Sequence, residues 1–295
     1  MGDLKGHAIP GSFFVLLGLW WAIGCLRTFL GARKNGDVFK ASSTYGFTCF
    51  QGRISRLPIE GIVKIIVCTG GMLGELLAHL PVPPMGIVQH ATMYLFFLLS
   101  GIVDVSLHYG LPLPHGADYI SVALALVIEG LLFNSHVHGR PVLDIHVHML
   151  LVYVVFATAI VVALEIRFTK SPILGMARAY LTMLQGTWFW GVGVILYGHG
   201  KPNTTWDLDS HDGPMQATIY FSWHCGVHMV LLLLLTLITS CFYRRSEQTP
   251  SIGLDKLGHS FLNSDSGEQP YSILSSEDKG VVGSDDEFET DLRTL

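Results

Sequence analysis

The residues best able to do chemistry lie in one stretch, residues 129–148, EGLLFNSHVHGRPVLDIHVH. It holds four histidines, two carboxylates, an asparagine and an arginine, with apolar sequence on both sides. Residues 121–133 carry a single carboxylate, and residues 149–164 carry no charge at all. Neutral imidazoles beside one or two carboxylates are the donor set that suits Zn²⁺, closed with four ligands in a structural site and open with three in a catalytic one. Ionisable groups inside an apolar span are costly, so such groups point to a function or to one another.

The elements that position these residues are seven apolar runs, at about 12–30, 59–80, 86–107, 119–137, 143–165, 177–197 and 215–241. Each approaches the ~20 residues a helix needs to cross a bilayer. Breaker-rich turns separate them: PVPP at 81–84, LPLPHG at 111–116, HGRP at 138–141, KSP at 170–172, and the polar segment 198–214. The expected fold is an all-α membrane protein, a seven-transmembrane-helix bundle. Positive residues set its orientation. Arg33, Lys34, Arg53 and Arg56 in the first loop, Arg167 and Lys170 in the fifth, and Arg244 and Arg245 after the last helix all fall on one side. That predicts an exoplasmic N-terminus and a cytosolic C-terminus. The Asn203 sequon then falls in an exoplasmic loop, as glycosylation requires. Loop 108–118, cytosolic by this count, has neither Lys nor Arg and strains the scheme.

At 1.5 Å per residue, depth follows from position along each helix. Measured from the exoplasmic side, Glu75 and His90 lie ~9 Å in, His148 ~11 Å, and Glu129 and His224 ~15 Å, with His136 and His138 at the mouth. Five helices thus contribute to one shallow band. His90, His148 and His224 are the candidate metal ligands, with Glu129 or Glu75 as carboxylate partner. Asp144, four residues from His148 and on its face, is placed to orient that imidazole from behind. Glu75/His79 and His224/His228 share the same spacing, whereas His146 faces away from His148. The alternative is that these groups bond one another as ties between helices. Haem is disfavoured, because a two-haem redox chain needs histidines at both leaflets and the cytosolic half offers mainly His108. Asp104, ~21 Å from His90 along the same face, belongs to the cytosolic half as a helix–helix partner. Lys64 is expected to snorkel to that surface. Gly186, in QGTW at 185–188, is read as a close-packing position, and Trp188 and Trp223 as packed rather than interfacial.

Half the 295 residues are hydrophobic, only 14% are charged, and the mean hydropathy is +0.46, which excludes an ordinary soluble domain. Charge is unevenly placed. Residues 246–295 carry 11 acidic and 3 basic residues, whereas residues 1–245 carry 12 and 15. The expected division is a membrane domain over 1–245 and a disordered acidic cytosolic tail over 246–295. Tyr271 and Leu274 in that tail fit a Tyr-x-x-apolar sorting signal that adaptor proteins would read. No phosphate-binding loop, hydrolase Gly-x-Ser-x-Gly or basic aromatic patch is present, so nucleic acid is excluded as a partner and the lipid bilayer is the certain one.

Several motifs resemble the transmembrane protein 45 family: GHAIPG at 6–11, Trp20-Trp21, HVHGR at 136–140 followed by Leu143-Asp144 and His148, QGTWF at 185–189, Trp206-Asp207 and Trp223-His224. The likeness runs in order from residue 1 to about 245 and leaves the tail uncovered. It implies a multi-pass protein of Golgi, endosomal or lysosomal membranes and names no reaction; the plasma membrane is a further location to expect of a seven-span chain. The family pattern is similar at His7, Glu75, His90, Asp104, Glu129, His136, His138, Asp144, His148, His211 and His224, and departs at His146 and His228. Three readings follow. The first is a His/carboxylate, zinc-binding site in the exoplasmic half. The second is a zinc-dependent hydrolase acting on a lipid through metal-bound water. The third is a non-enzymatic trafficking or scaffold protein whose polar cluster is structural.

Overall fold

The computed structural model describes residues 4–46, 57–137, 139–198, 206 and 212–248, with side chains through 245. His138, Asn203, His211, Tyr271 and Leu274 lie outside the described residues. Seven helices follow in order: α1 (Leu4–Asn35), α2 (Ile59–Ala78), α3 (Met85–His108), α4 (Ala117–His136), α5 (Val142–Arg167), α6 (Pro172–Tyr197) and α7 (Asp212–Gln248). All seven are long and apolar enough to cross a membrane. Proline marks the starts: Pro58, Pro84 and Pro141 immediately precede α2, α3 and α5, and Pro172 opens α6. There proline's missing N–H costs nothing, since the first helical donors have no intrahelical partner.

The centre of the bundle is α5 and α6. Leu143, Val147, Leu151, Val155 and Val162 of α5 and Trp188 and Val192 of α6 are wholly buried. This explains why α5 is apolar on every face: it packs between α4, α6 and α7. By contrast α7 and the outer faces of α2 and α3 expose long apolar side chains, the surface a bilayer would cover. Helix α1 lies against α6 along most of its length. A Cβ on Gly186 would stand 2.6 Å from the Gly11 carbonyl oxygen and the Val15 nitrogen, so the two backbones touch there, as the close-packing reading of Gly186 requires. Trp188 is packed as expected. Trp223 is not; it is 70% exposed on the outer face of α7.

The backbone of α2 approaches only α3 among the described helices. Its link to α1 runs through side chains, and the segment after α1 helps to make it. Residues 36–46 double back along α1 until the Tyr45 ring covers Gly24. The Ala41 N–H donates to the Thr169 carbonyl, 2.7 Å away, joining the first loop to the fifth.

Candidate functional site

The structure divides the histidine band into separate groups. The largest runs across the end of the bundle where α2 finishes and α3 begins. The Glu75 carboxylate lies 3.5 Å from His90 Nδ1, and the His90 and His136 rings are 5.6 Å apart. His136 Nδ1 meets Gln89 Oε1 at 2.8 Å, and His136 Nε2 meets Arg140 Nη2 at 2.7 Å. A guanidinium only donates, so Nε2 is the acceptor and the proton sits on Nδ1, donating to Gln89. Gln89 Nε2 donates in turn to Ser135 Oγ at 3.0 Å, which fixes the orientation of the amide. Arg140 continues the chain to Asp144 at 3.1 and 3.3 Å, and Asp144 Oδ1 lies 2.9 Å from His148 Nδ1. The His148 ring packs edge-on against His7 of α1, centroids 5.8 Å apart. Arg140, just before α5, reaches back to His136 and forward to Asp144, and Gly139 beside it takes the left-handed conformation at φ 76°.

The structure thus brings Glu75 to His90 and Asp144 to His148. Three other placements differ. Glu129 is buried, and both its oxygens accept from Gln185 Nε2 at 3.1 Å, so it pairs with α6 and not with the band. His224 Nδ1 is 3.2 Å from Thr187 Oγ1 and stacks edge-on against Trp188. His228 meets the same hydroxyl at 2.8 Å, so the i,i+4 pair on α7 does converge, on a threonine of α6. His79 turns its Nδ1 to the backbone oxygen of Glu75 and leaves the carboxylate to His90. His146 bonds Thr218 of α7, away from His148 as expected. Among the described residues no group of three or more His, Cys, Asp or Glu is disposed to hold a metal ion. His90 meets Glu75 and His136, His148 meets Asp144 and His7, and His224 meets Thr187 and Trp188.

The opposite end of the bundle holds a larger charged network that the sequence reading missed. Lys64 does not snorkel. It is 3% exposed and pairs with Asp104 at 2.5 Å, with Glu60 at 3.8 Å. Asp104 is thus the helix–helix partner expected of it. Glu60 also accepts from the Trp21 indole at 2.8 Å, the Trp20 indole at 3.3 Å and the Tyr45 N–H at 3.0 Å, which ties α2 to α1 and to the returning loop. Arg178 of α6 is 1% exposed. Its Nε lies 2.9 Å from the wholly buried Glu165, and its two terminal nitrogens donate to the Ser42 and Ser43 carbonyls at 2.7 and 2.8 Å. The guanidinium also stacks 4.2 Å from the Trp21 ring. Ser43 donates to Asp118 at the start of α4. Burial pushes the Tyr45 phenol well above its ordinary pKa, and its hydroxyl has no partner among the described residues.

Residues 115–237, which run from just before α4 into α7, match the model of a family of unknown function (DUF716). The chain is also similar to transmembrane epididymal protein 1 of Rattus norvegicus, 27% identical over 83% of each chain. Transmembrane epididymal protein 1A of Mus musculus gives the same figures. Transmembrane epididymal protein 1 of Homo sapiens is 28% identical over 61% of this chain and 71% of its own. Seven apolar spans and relatives named as transmembrane make this chain an integral, multi-pass membrane protein. The matched family segment includes Glu129, His136, Asp144, His148, Glu165, Arg178, Gln185 and His224, and so covers the α4–α6 parts of both polar ends.

Proposed function

We propose that this is a non-enzymatic membrane protein of the transmembrane protein 45 kind, whose histidine–carboxylate band clasps helices together and which acts through recognition and sorting. The observation that carries this reading is the engagement of the candidate ligands. Glu75 serves His90, Gln89 and Arg140 serve His136, Asp144 serves His148, Gln185 serves Glu129, and Thr187 serves both His224 and His228. Polar side chains satisfied across helices are a common means of fixing a membrane bundle. In this proposal the N-terminus is exoplasmic, Asn203 carries a glycan, and the acidic tail lies in the cytosol. Tyr271 and Leu274 are read there by adaptors that direct the protein among Golgi, endosomal and lysosomal membranes.

The test is elemental analysis of detergent-purified protein, wild type beside His148→Ala and His224→Ala, with thermal unfolding of all three. The clasp reading expects no stoichiometric zinc and a lower melting temperature for His148→Ala. Near-stoichiometric zinc in the wild type, lost in both variants, would overturn it in favour of a shared metal site and call for a screen of lipid hydrolysis.

A further inference from the structure

The end of the bundle that holds Lys64 and Arg178 sorts its charges by depth. Its carboxylates Glu60, Asp104 and Glu165 are buried, and Asp118 is half-buried and bonded by Ser43. Lys64 and Arg178 are drawn in to meet them. The other cations stay out. Arg33, Lys34, Lys40, Arg167, Lys170 and Arg244 are exposed, and none of them forms an ion pair among the described residues. Against these six, the same end exposes one carboxylate among the described residues, Asp37.

The segments that carry these cations are tied together. The bond from the Ala41 N–H to the Thr169 carbonyl joins the residue after Lys40 to the residue before Lys170. Tyr243 donates to the Arg27 carbonyl at 3.4 Å and so brings the end of α7, with Arg244, to α1. The loop after Lys40 is also pinned from within, by Arg178 at the Ser42 and Ser43 carbonyls, by Asp118 at the Ser43 hydroxyl and by Glu60 at the Tyr45 N–H. Positive residues that only orient a chain across a bilayer need no fixed loop. Here two lysine-bearing loops are held together, and a shared anion would offset the repulsion between them. Exposed apolar side chains stand next to the cations in the chain: Val38 near Lys40, Phe242 near Arg244, and Phe168, whose ring lies 5.6 Å from the Arg167 guanidinium. Cations interleaved with exposed apolar groups, at the ends of membrane-length helices, suit a charged head that carries acyl chains better than a soluble polyanion. Several unpaired cations on tied loops call for more than one negative charge. A polyphosphorylated head supplies that, whereas phosphatidylserine brings an ammonium of its own. We propose that this end binds an anionic phospholipid with a multiply charged head, a phosphoinositide, at Lys40 and Lys170. The site lies at the opposite end of the bundle from the histidine clasp and does not depend on it.

The experiment uses the purified full chain in detergent and fluorescent dioctanoyl probes of phosphatidylinositol bisphosphate, phosphatidylserine and phosphatidylcholine, with inositol trisphosphate as the free head. The bisphosphate lipid should bind most tightly, and more weakly as salt is raised. Lys40→Gln and Lys170→Gln should each weaken it about fivefold, the worth of one cation near a charged headgroup, and about thirtyfold together. Both side chains are exposed, so the melting temperature should not change. Lys5→Gln, an exposed lysine at the opposite end, is the control and should bind as the wild type does. Equal binding of the three lipids, or a preference for phosphatidylserine or phosphatidylcholine, would overturn the proposal. So would inositol trisphosphate binding as tightly as the lipid, an equal loss in the control, or binding indifferent to both lysine variants.

Discussion

Replacing Arg178 by Met should do more damage than any change at the histidine end. The guanidinium is buried and holds three partners from two parts of the chain: it is ion-paired with Glu165 at the end of α5 and donates to the Ser42 and Ser43 carbonyls of the returning loop. Removing it strands a carboxylate with no exposed surface, which costs about 3–5 kcal/mol for a broken buried pair. The two loop carbonyls lose their partners as well, each adding a desolvation cost of about 1–3 kcal/mol unless water reaches it. Taking the pair alone, at about 2–4 °C per kcal/mol, the melting temperature should fall by about 6–20 °C. The assay is thermal unfolding in detergent, with limited proteolysis at the 36–46 segment as a local readout. Glu165→Leu in the Arg178→Met background removes the stranded charge and should recover part of the loss, giving a coupling of about 1–3 kcal/mol between the two positions. Arg178→Lys should not rescue, because an ammonium cannot span three acceptors held by a planar fork. Additive single and double variants, or full rescue by lysine, would refute the reasoning and leave a simple charge requirement in its place.

Gly186→Ala should cost about 1–3 kcal/mol or more, because the new methyl would meet the α1 backbone itself, and backbone cannot rotate away; an unchanged melting temperature would mean that α1 and α6 stand further apart. Arg140→Gln should loosen the histidine end by about 1–3 kcal/mol, since His136 Nε2 and Asp144 both lose their donor; protection of the α4–α5 turn in hydrogen exchange is the measurement. Asn203→Gln should abolish a glycosidase-sensitive shift on gels if the loop after α6 is exoplasmic, and a wild type without that shift would count against the proposed orientation. Tyr271→Ala should move the protein towards the plasma membrane in fixed cells, and an unaltered distribution would remove the tail signal from the proposal.

The seven helices were legible because each is an apolar run of span length and breaker-rich turns or polar segments separate them, and the observed ends fall within a few residues of the expected ones except at the flanks of α1, α6 and α7. Those flanks extend as helix beyond the apolar core, where hydropathy carries no signal. The histidine band was legible in one coordinate only. Residue counting gives depth, so His90, His148 and His224 came out in one shallow band; it does not say which neighbour each helix face meets. His148 turns towards α1, His224 towards Thr187 and Trp188 of α6, and Glu129 towards Gln185. Helix order around the bundle decides that, and a single sequence does not encode it in any local pattern. Pairs within one helix, such as Asp144 and His148, were legible because 3.6 residues per turn fixes their relation without reference to a neighbour.

The charged end was missed for a different reason. Lys64 and Arg178 sit close enough to helix starts to pass for surface charges, and Lys64 was read by its own position as one that snorkels. The signal was present in the carboxylates. Glu60 and Asp118 open α2 and α4, Asp104 and Glu165 nearly close α3 and α5, and antiparallel packing brings all four to the same end. Loop 108–118, at that end, has no Lys or Arg of its own to balance them. Four acids gathered at one end of a bundle need cations drawn inward, and the nearest candidates were the two basic residues one or two turns inside α2 and α6. The same depth count that found the histidines, applied to the acids, leads to Lys64 and Arg178 as buried partners. What it could not supply is the fold-back of residues 36–46, whose carbonyls make Arg178 the joint between the first loop, α5 and α6.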